Sequence, residues 1–199
     1  MLNILTVCTG NVCRSPVAAQ LLATRLGDLD VEFQSAGTRA RNGMSMTSGA
    51  MALATNRGVD PATTLAHRAR LLADSHLRGT DLLLGMAREH RREIVELAPS
   101  SMRRTFTIRE LARLCEAITD DDLRGAWSQA ERSNEPGVRL EFMLRLIAAQ
   151  RGVAPEPVTV LDDDVVDPYG RSPEFYERSG LELEPGLQTV ERIVRLTFE

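Results

Sequence analysis

Lysine is absent: all 24 basic residues of this 199-residue chain are arginine, against 28 acidic residues, for a net charge of −4. A weakly acidic balance gives no reason to expect nucleic acid or an acidic membrane as the main partner. The arginine bias itself reads as GC-rich coding. Cysteine is scarce, and two of the three cysteines share one short loop, so a disulfide scaffold is not expected. A reducing cytoplasm is the expected compartment. No apolar run reaches the roughly 18 residues that a membrane span requires. The N-terminus has no basic segment followed by an apolar one, so a secretory signal is not expected either. What is present is ordinary: 43% apolar and 26% charged residues, in a chain long enough for one domain with a sizeable core.

The most informative stretch is Cys8-Thr9-Gly10-Asn11-Val12-Cys13-Arg14-Ser15, placed directly after the apolar run Leu2 to Val7. It reads as a strand ending in a thiol, a tight loop, and a helix beginning near Ser15-Pro16. Successive backbone N–H groups in such a loop converge on one point, and the helix N-terminus adds positive potential. That field and a nearby arginine drive a thiol at the start of the loop toward thiolate. Arg14 supplies a planar fork able to grip two oxygens of a tetrahedral oxyanion. A cation at a helix start opposes the helix dipole, and that misfit favours an anionic ligand. Gly10 can adopt positive φ, and Asn11 tolerates it better than most residues. Nucleophile, cradle and clamp together point to phosphoryl transfer through cysteine.

Strand and helix alternate along the chain. Leu2 to Val7, Val31 to Ser35, Asp81 to Met86 and Arg104 to Ile108 read as strands. Val17 to Leu26, Thr47 to Arg57 and Arg88 to Leu97 read as helices. Ala36-Gly37 is expected as a turn, Gly58 and the Asp60-Pro61 turn as the stop of the second helix, and Pro99 as the close of the third. The crossovers should be right-handed and the sheet parallel, with ligands beyond the carboxyl ends of the strands, where Cys8 lies. The expected fold is an open four-stranded parallel sheet with helices on both faces, flavodoxin-like or Rossmann-like.

Strand-Cys-x5-Arg-Ser-Pro resembles the low-molecular-weight protein tyrosine phosphatase family. Ser35-Ala36-Gly37-Thr38, His67-Arg68-Ala69-Arg70, Asp81 to Met86 and Asp167-Pro168-Tyr169 are similar to its other blocks. The likeness covers residues 1 to about 100 and resumes near 160. It implies hydrolysis of phosphotyrosine in proteins through a phosphocysteine on Cys8, with Arg14 stabilising the transition state. Asp167 would be the acid for the phenolate and then the base for water. The loop Thr9, Gly10, Asn11, Val12, Cys13, Arg14 and Ser15 would hold the phosphate. No metal and no cofactor is implied, because loop and arginine replace them, and the implied partner is a tyrosine-phosphorylated protein. By the same resemblance Asn11 braces the loop through side-chain hydrogen bonds to Ser15, Ser35 and His67, and Ser15 can donate its hydroxyl to the Cys8 sulfur. Tyr169 would wall the substrate ring. Residues 39–46 hold no aromatic partner for it, and Arg41 and Met44 are the available substitutes. A reversible Cys8–Cys13 disulfide would resemble the family's switch, while a space-filling Cys13 is the bland alternative. Asp162, Asp163 and Asp164 read as a solvated or helix-capping run, and Cys115 as part of an apolar helix face.

The segment from about 109 to 161 departs from the family pattern. Arg109 to Ile118 and Leu140 to Gln150 have amphipathic spacing, and Asp120-Asp121-Asp122 reads as a first helical turn. The whole chain is therefore expected to be a single phosphatase domain with a helical insertion. That insertion would pack on the core, either overhanging the site or mediating self-association. Three other functions share this loop chemistry. A thioredoxin-coupled arsenate reductase needs a resolving cysteine pair downstream, and only Cys115 lies outside the loop. Phosphoarginine-specific relatives resemble the loop but carry threonine at the position of Val12. A non-enzymatic phosphate-binding module would not need Cys8, Arg14 and Asp167 together.

Overall fold

A computed structural model describes residues 1–128, 130 and 134–199; positions 129 and 131–133, inside the expected insertion, lie outside the described residues. Four strands, β1 (Leu2–Cys8), β2 (Val31–Gly37), β3 (Leu82–Gly85) and β4 (Thr105–Thr107), pair in parallel in the order β2-β1-β3-β4. Alternation in β1 sends Leu2 and Ile4 into one apolar cluster and Leu5 and Val7 into another. In β3, Leu82 and Leu84 join the first cluster and Leu83 the second. Both faces are thus buried, as apolar runs in parallel strands require.

The second cluster is closed by Leu77 of α4 (Asp74–Leu77) and Ile94 of α5 (Arg88–Leu97). The first is covered by α1 (Arg14–Arg25) with α2 (Ser48–Asn56), and later by α6 (Ile108–Cys115), α7 (Asp120–Trp127), α8 (Pro136–Ala149) and α9 (Pro173–Thr197). Between α2 and α4 lies α3 (Pro61–Ala66). The Asp60-Pro61 pair does not simply stop a helix. Asp60 accepts the Ala62 N–H at 2.9 Å and Pro61 opens α3, because a missing N–H is harmless in a first turn. Pro99 likewise opens a 3-10 turn, Pro99–Arg104.

The Ala36-Gly37 turn is also corrected. β2 continues to Gly37, which pairs with Cys8, and any Cβ there would lie 2.6 Å from the Thr9 carbonyl oxygen. Glycine lets the loop lie directly on the second strand. The 25-residue α9 corresponds to no expected element. Its signal was present in Leu183, Leu187, Val190, Ile193 and Val194, all fully buried on one stripe.

The described part of the expected insertion packs on the core, and its helix α8 starts at the end of β1 away from Cys8. Leu140, Met143, Leu144 and Ile147 of α8 are buried, and Gly137 at its start lies against Leu2. Leu2 opens β1 and Cys8 ends it, so a seven-residue strand, about 20 Å, separates the two ends. The apolar stripe of α8 is spent inside this chain.

Candidate active site

The segment after β1 wraps around the Cys8 sulfur. The Asn11 N–H donates to Cys8 Sγ at 3.3 Å, and the Ser15 hydroxyl donates to the same sulfur at 3.0 Å. Asn11, with φ of 54°, is the one non-glycine residue in the left-handed region among the described residues. Gly10 is not in that region, so the strained turn falls on Asn11 instead. Its side chain is fully satisfied: Nδ2 donates to Ser15 Oγ at 3.0 Å and Ser35 Oγ at 2.9 Å, while Oδ1 accepts the Arg70 N–H at 2.9 Å. His67 departs from the expected bracing, because its Nε2 meets the Asn11 backbone carbonyl at 2.8 Å. The Arg70 amide takes the place expected for the imidazole.

Arg14 is 5% exposed. Its Nη1 donates to the Val165 carbonyl at 3.0 Å, and Nη2 lies 3.0 Å from Asp167 Oδ2 and 3.5 Å from Thr9 Oγ1. Nε is buried with no hydrogen-bond partner. A buried guanidinium N–H left open is costly unless a ligand completes it.

The sequence offered no signal for what holds the Asp167 segment. Thr107 Oγ1 donates to the Asp163 carbonyl at 2.7 Å, and the Val165 N–H donates to the Met86 carbonyl at 2.8 Å. Asp163 is itself buried against the Arg113 guanidinium, at 2.7 and 3.1 Å, so it is not solvated. Asp164 accepts the Arg88 N–H at the start of α5, and Asp162 accepts the Thr159 N–H; these two act as caps. Asp167 Oδ1 accepts the Tyr169 N–H at 3.2 Å.

Asp167 and Tyr169 share a cavity of about 340 Å³ with the Cys8-to-Arg14 loop. Arg41 and Met44 line it too, in the place of the missing aromatic residue, together with Arg39. Cys13 Sγ lies 3.3 Å from the Thr47 hydroxyl, and burial pushes its thiol up to about 11. Tyr176 donates to the same Thr47 oxygen at 3.2 Å. All three cysteines are free, and burial pushes Cys115 up to about 12.

His90 escaped the sequence reading altogether. It is fully buried in α5, with Nε2 2.9 Å from Thr9 Oγ1. Burial, and then the Arg14 charge, hold its pKa down to about 3. The unfolded chain binds this proton near pH 6.5 and the folded chain does not, so stability is intact above 6.5 and declines as pH falls toward 3. Burial lowers His67 in the same direction. Between pH 7 and 5 the wild type should lose about 2 kcal/mol more than His90→Gln in urea unfolding. Equal losses would mean that His90 is protonated in the folded state.

A doubly covered parallel sheet and a cysteine at the carboxyl end of its first strand, its sulfur held by the Asn11 N–H and the Ser15 hydroxyl, define an α/β protein with a cysteine-centred cavity. The profile described as low molecular weight phosphotyrosine protein phosphatase matches residues 3–121. A protein-arginine-phosphatase of Geobacillus stearothermophilus is 36% identical over 121 residues, covering 61% of this chain and 76% of that protein. The low molecular weight protein-tyrosine-phosphatase Etp of Escherichia coli K12 is 36% identical over 104 residues, 52% of this chain and 67% of Etp. In structure, the low molecular weight protein tyrosine phosphatase of T. tengcongensis superposes with a TM-score of 0.64 at 27% identity, covering 96% of this chain and 98% of that one. The YwlE arginine phosphatase of G. stearothermophilus superposes at 0.63 and 26%, covering 98% and 92%. This chain belongs to the low molecular weight phosphotyrosine protein phosphatase family.

Proposed function

We propose that this chain hydrolyses phosphotyrosine in proteins, as one phosphatase domain carrying a helical insertion at about 109–161. The carrying observation is one cavity that brings together Arg14, Asp167 and a Cys8 sulfur receiving two hydrogen bonds from its own loop. The Cys8 thiolate attacks phosphorus in line with the phenolic oxygen; the P–O bond breaks as the S–P bond forms. Loop N–H groups and Arg14 neutralise the equatorial oxygens. Asp167 gives its proton to the departing phenolate. Its carboxylate then takes a proton from water, which attacks phosphorus and returns phosphate and the thiolate. The free thiol this requires fits a reducing compartment, the cytoplasm. No helix among the described residues is long and apolar enough to cross a membrane.

Purified protein should turn over an aryl phosphate in the presence of EDTA, and an absolute demand for divalent cation would overturn the mechanism. Asp167→Asn should lower kcat by about 10²- to 10⁴-fold on phosphotyrosine peptide. The loss should be smaller on p-nitrophenyl phosphate, whose leaving group needs little protonation. An equal loss on both would remove Asp167 as the acid.

Phosphoarginine hydrolysis is the second reading, supported by the 36% identity to the protein-arginine-phosphatase. Val12, which lines the cavity, disfavours it: an aliphatic side chain there suits an aryl ester better than a guanidinium. Phosphotyrosine and phosphoarginine peptides assayed side by side separate the two. A thioredoxin-coupled reductase is disfavoured by Cys115, the one thiol outside the loop, which is buried.

A further inference from the structure

The mouth of the cavity carries two guanidinium groups that the proposed chemistry does not use. Parallel pairing of β1 with β2 runs on past Gly37. Thr38 N–H donates to the Cys8 carbonyl and Arg39 N–H to the Thr9 carbonyl, each at 2.9 Å. The segment is pinned on its far side by Gly43 N–H to the Ala69 carbonyl at 2.8 Å and Ala69 N–H to the Met44 carbonyl at 2.7 Å. The backbone of this rim is therefore tied at both ends, and its side chains project into the same cavity as Cys8.

Those side chains are only weakly compensated. Arg39 is 75% exposed, and its only ion pair among the described residues is a loose one, 3.8 Å from Glu93. Arg41 has no side-chain partner among the described residues. By contrast Arg25 and Arg113 are each gripped by a carboxylate through two nitrogens. A chain of net charge −4 that leaves two cations open at this rim has room there for anions beyond the phosphate. Met44 and Tyr169, 40% and 59% exposed, supply apolar surface for the ring between them.

We propose that Arg39 and Arg41 select phosphotyrosine segments flanked by aspartate or glutamate, the flanking carboxylates pairing with the rim while the phosphate occupies the loop. The inference rests on the phosphotyrosine reading. Exposed pairs of this kind act partly through encounter rate and are screened by salt.

The test uses wild-type protein, p-nitrophenyl phosphate, and phosphotyrosine peptides of one length with Glu, Ala or Lys flanks. At low ionic strength kcat/KM should favour the Glu peptide over the Lys peptide by about tenfold, falling toward about twofold in roughly 0.5 M salt. In Arg39→Ala/Arg41→Ala the Glu-to-Lys ratio should fall to about 2 or below. Equal turnover of Glu and Lys peptides, with p-nitrophenyl phosphate still hydrolysed, overturns the preference and leaves the phosphatase reading standing. A ratio that survives the double variant overturns the role of these two arginines. No hydrolysis of p-nitrophenyl phosphate overturns the phosphatase reading and the rim proposal with it.

Discussion

Cys8→Ser is expected to lower kcat on an aryl phosphate by at least about 10⁴-fold while leaving the fold and phosphate binding in place. The replacement is nearly isosteric, and a serine oxygen can accept the same two donors, Asn11 N–H and Ser15 Oγ–H, that now meet sulfur at 3.3 and 3.0 Å. What changes is chemistry. A serine oxygen is a far weaker nucleophile than a cysteine sulfur unless a general base activates it. Steady-state kinetics with p-nitrophenyl phosphate measures the loss, and a phosphate titration monitored by thermal unfolding shows that the cradle still binds. Turnover within tenfold of wild type would remove Cys8 as the nucleophile, and with it the phosphocysteine.

Arg14→Lys should be nearly as damaging, with kcat reduced by about 10³- to 10⁵-fold. A lysine keeps the charge but not the fork. Arg14 now holds the Val165 carbonyl with Nη1 and Asp167 with Nη2, and still has Nε free for an oxyanion. One ammonium cannot span those positions at once. The consequence reaches beyond phosphate binding, because the guanidinium ties the segment carrying Asp167 to the loop carrying Cys8. Two measurements separate the roles. A raised KM alone would assign Arg14 to substrate capture, whereas a fall in kcat with KM little changed assigns it to the transition state. A kcat within tenfold of wild type would sink the clamp.

The loop after the first strand and the parallel sheet were legible because each is a local pattern. The Cys8-to-Ser15 spacing specifies a strand, an N–H-lined turn and a helix start within a few residues, and short apolar runs alternating with amphipathic ones specify β/α layering. Helix α9 was equally local in kind but was missed, its stripe being interrupted by Pro185 and Gly186. Gly186 has a reason that only packing reveals: a Cβ there would lie 2.4 Å from Ile108 Cγ1.

Long-range partners followed a different logic. The Thr9 hydroxyl meets His90, 81 positions later, and Asp163 meets Arg113 across 50 positions. Neither pairing leaves a trace in spacing, since a buried histidine and one aspartate among three neighbours look the same whether paired or not. The chain by itself determined a cysteine at the end of the first strand, the tight turn after it and the parallel layers, because backbone geometry and side-chain periodicity act over a few residues. Only the tertiary structure decided that Arg14 reaches Asp167, that Arg70 rather than His67 takes the Asn11 side chain, and that α8 starts against Leu2, at the end of β1 away from Cys8. Those outcomes depend on which surfaces meet once the sheet is covered, and burial free energy, not local pattern, sets that.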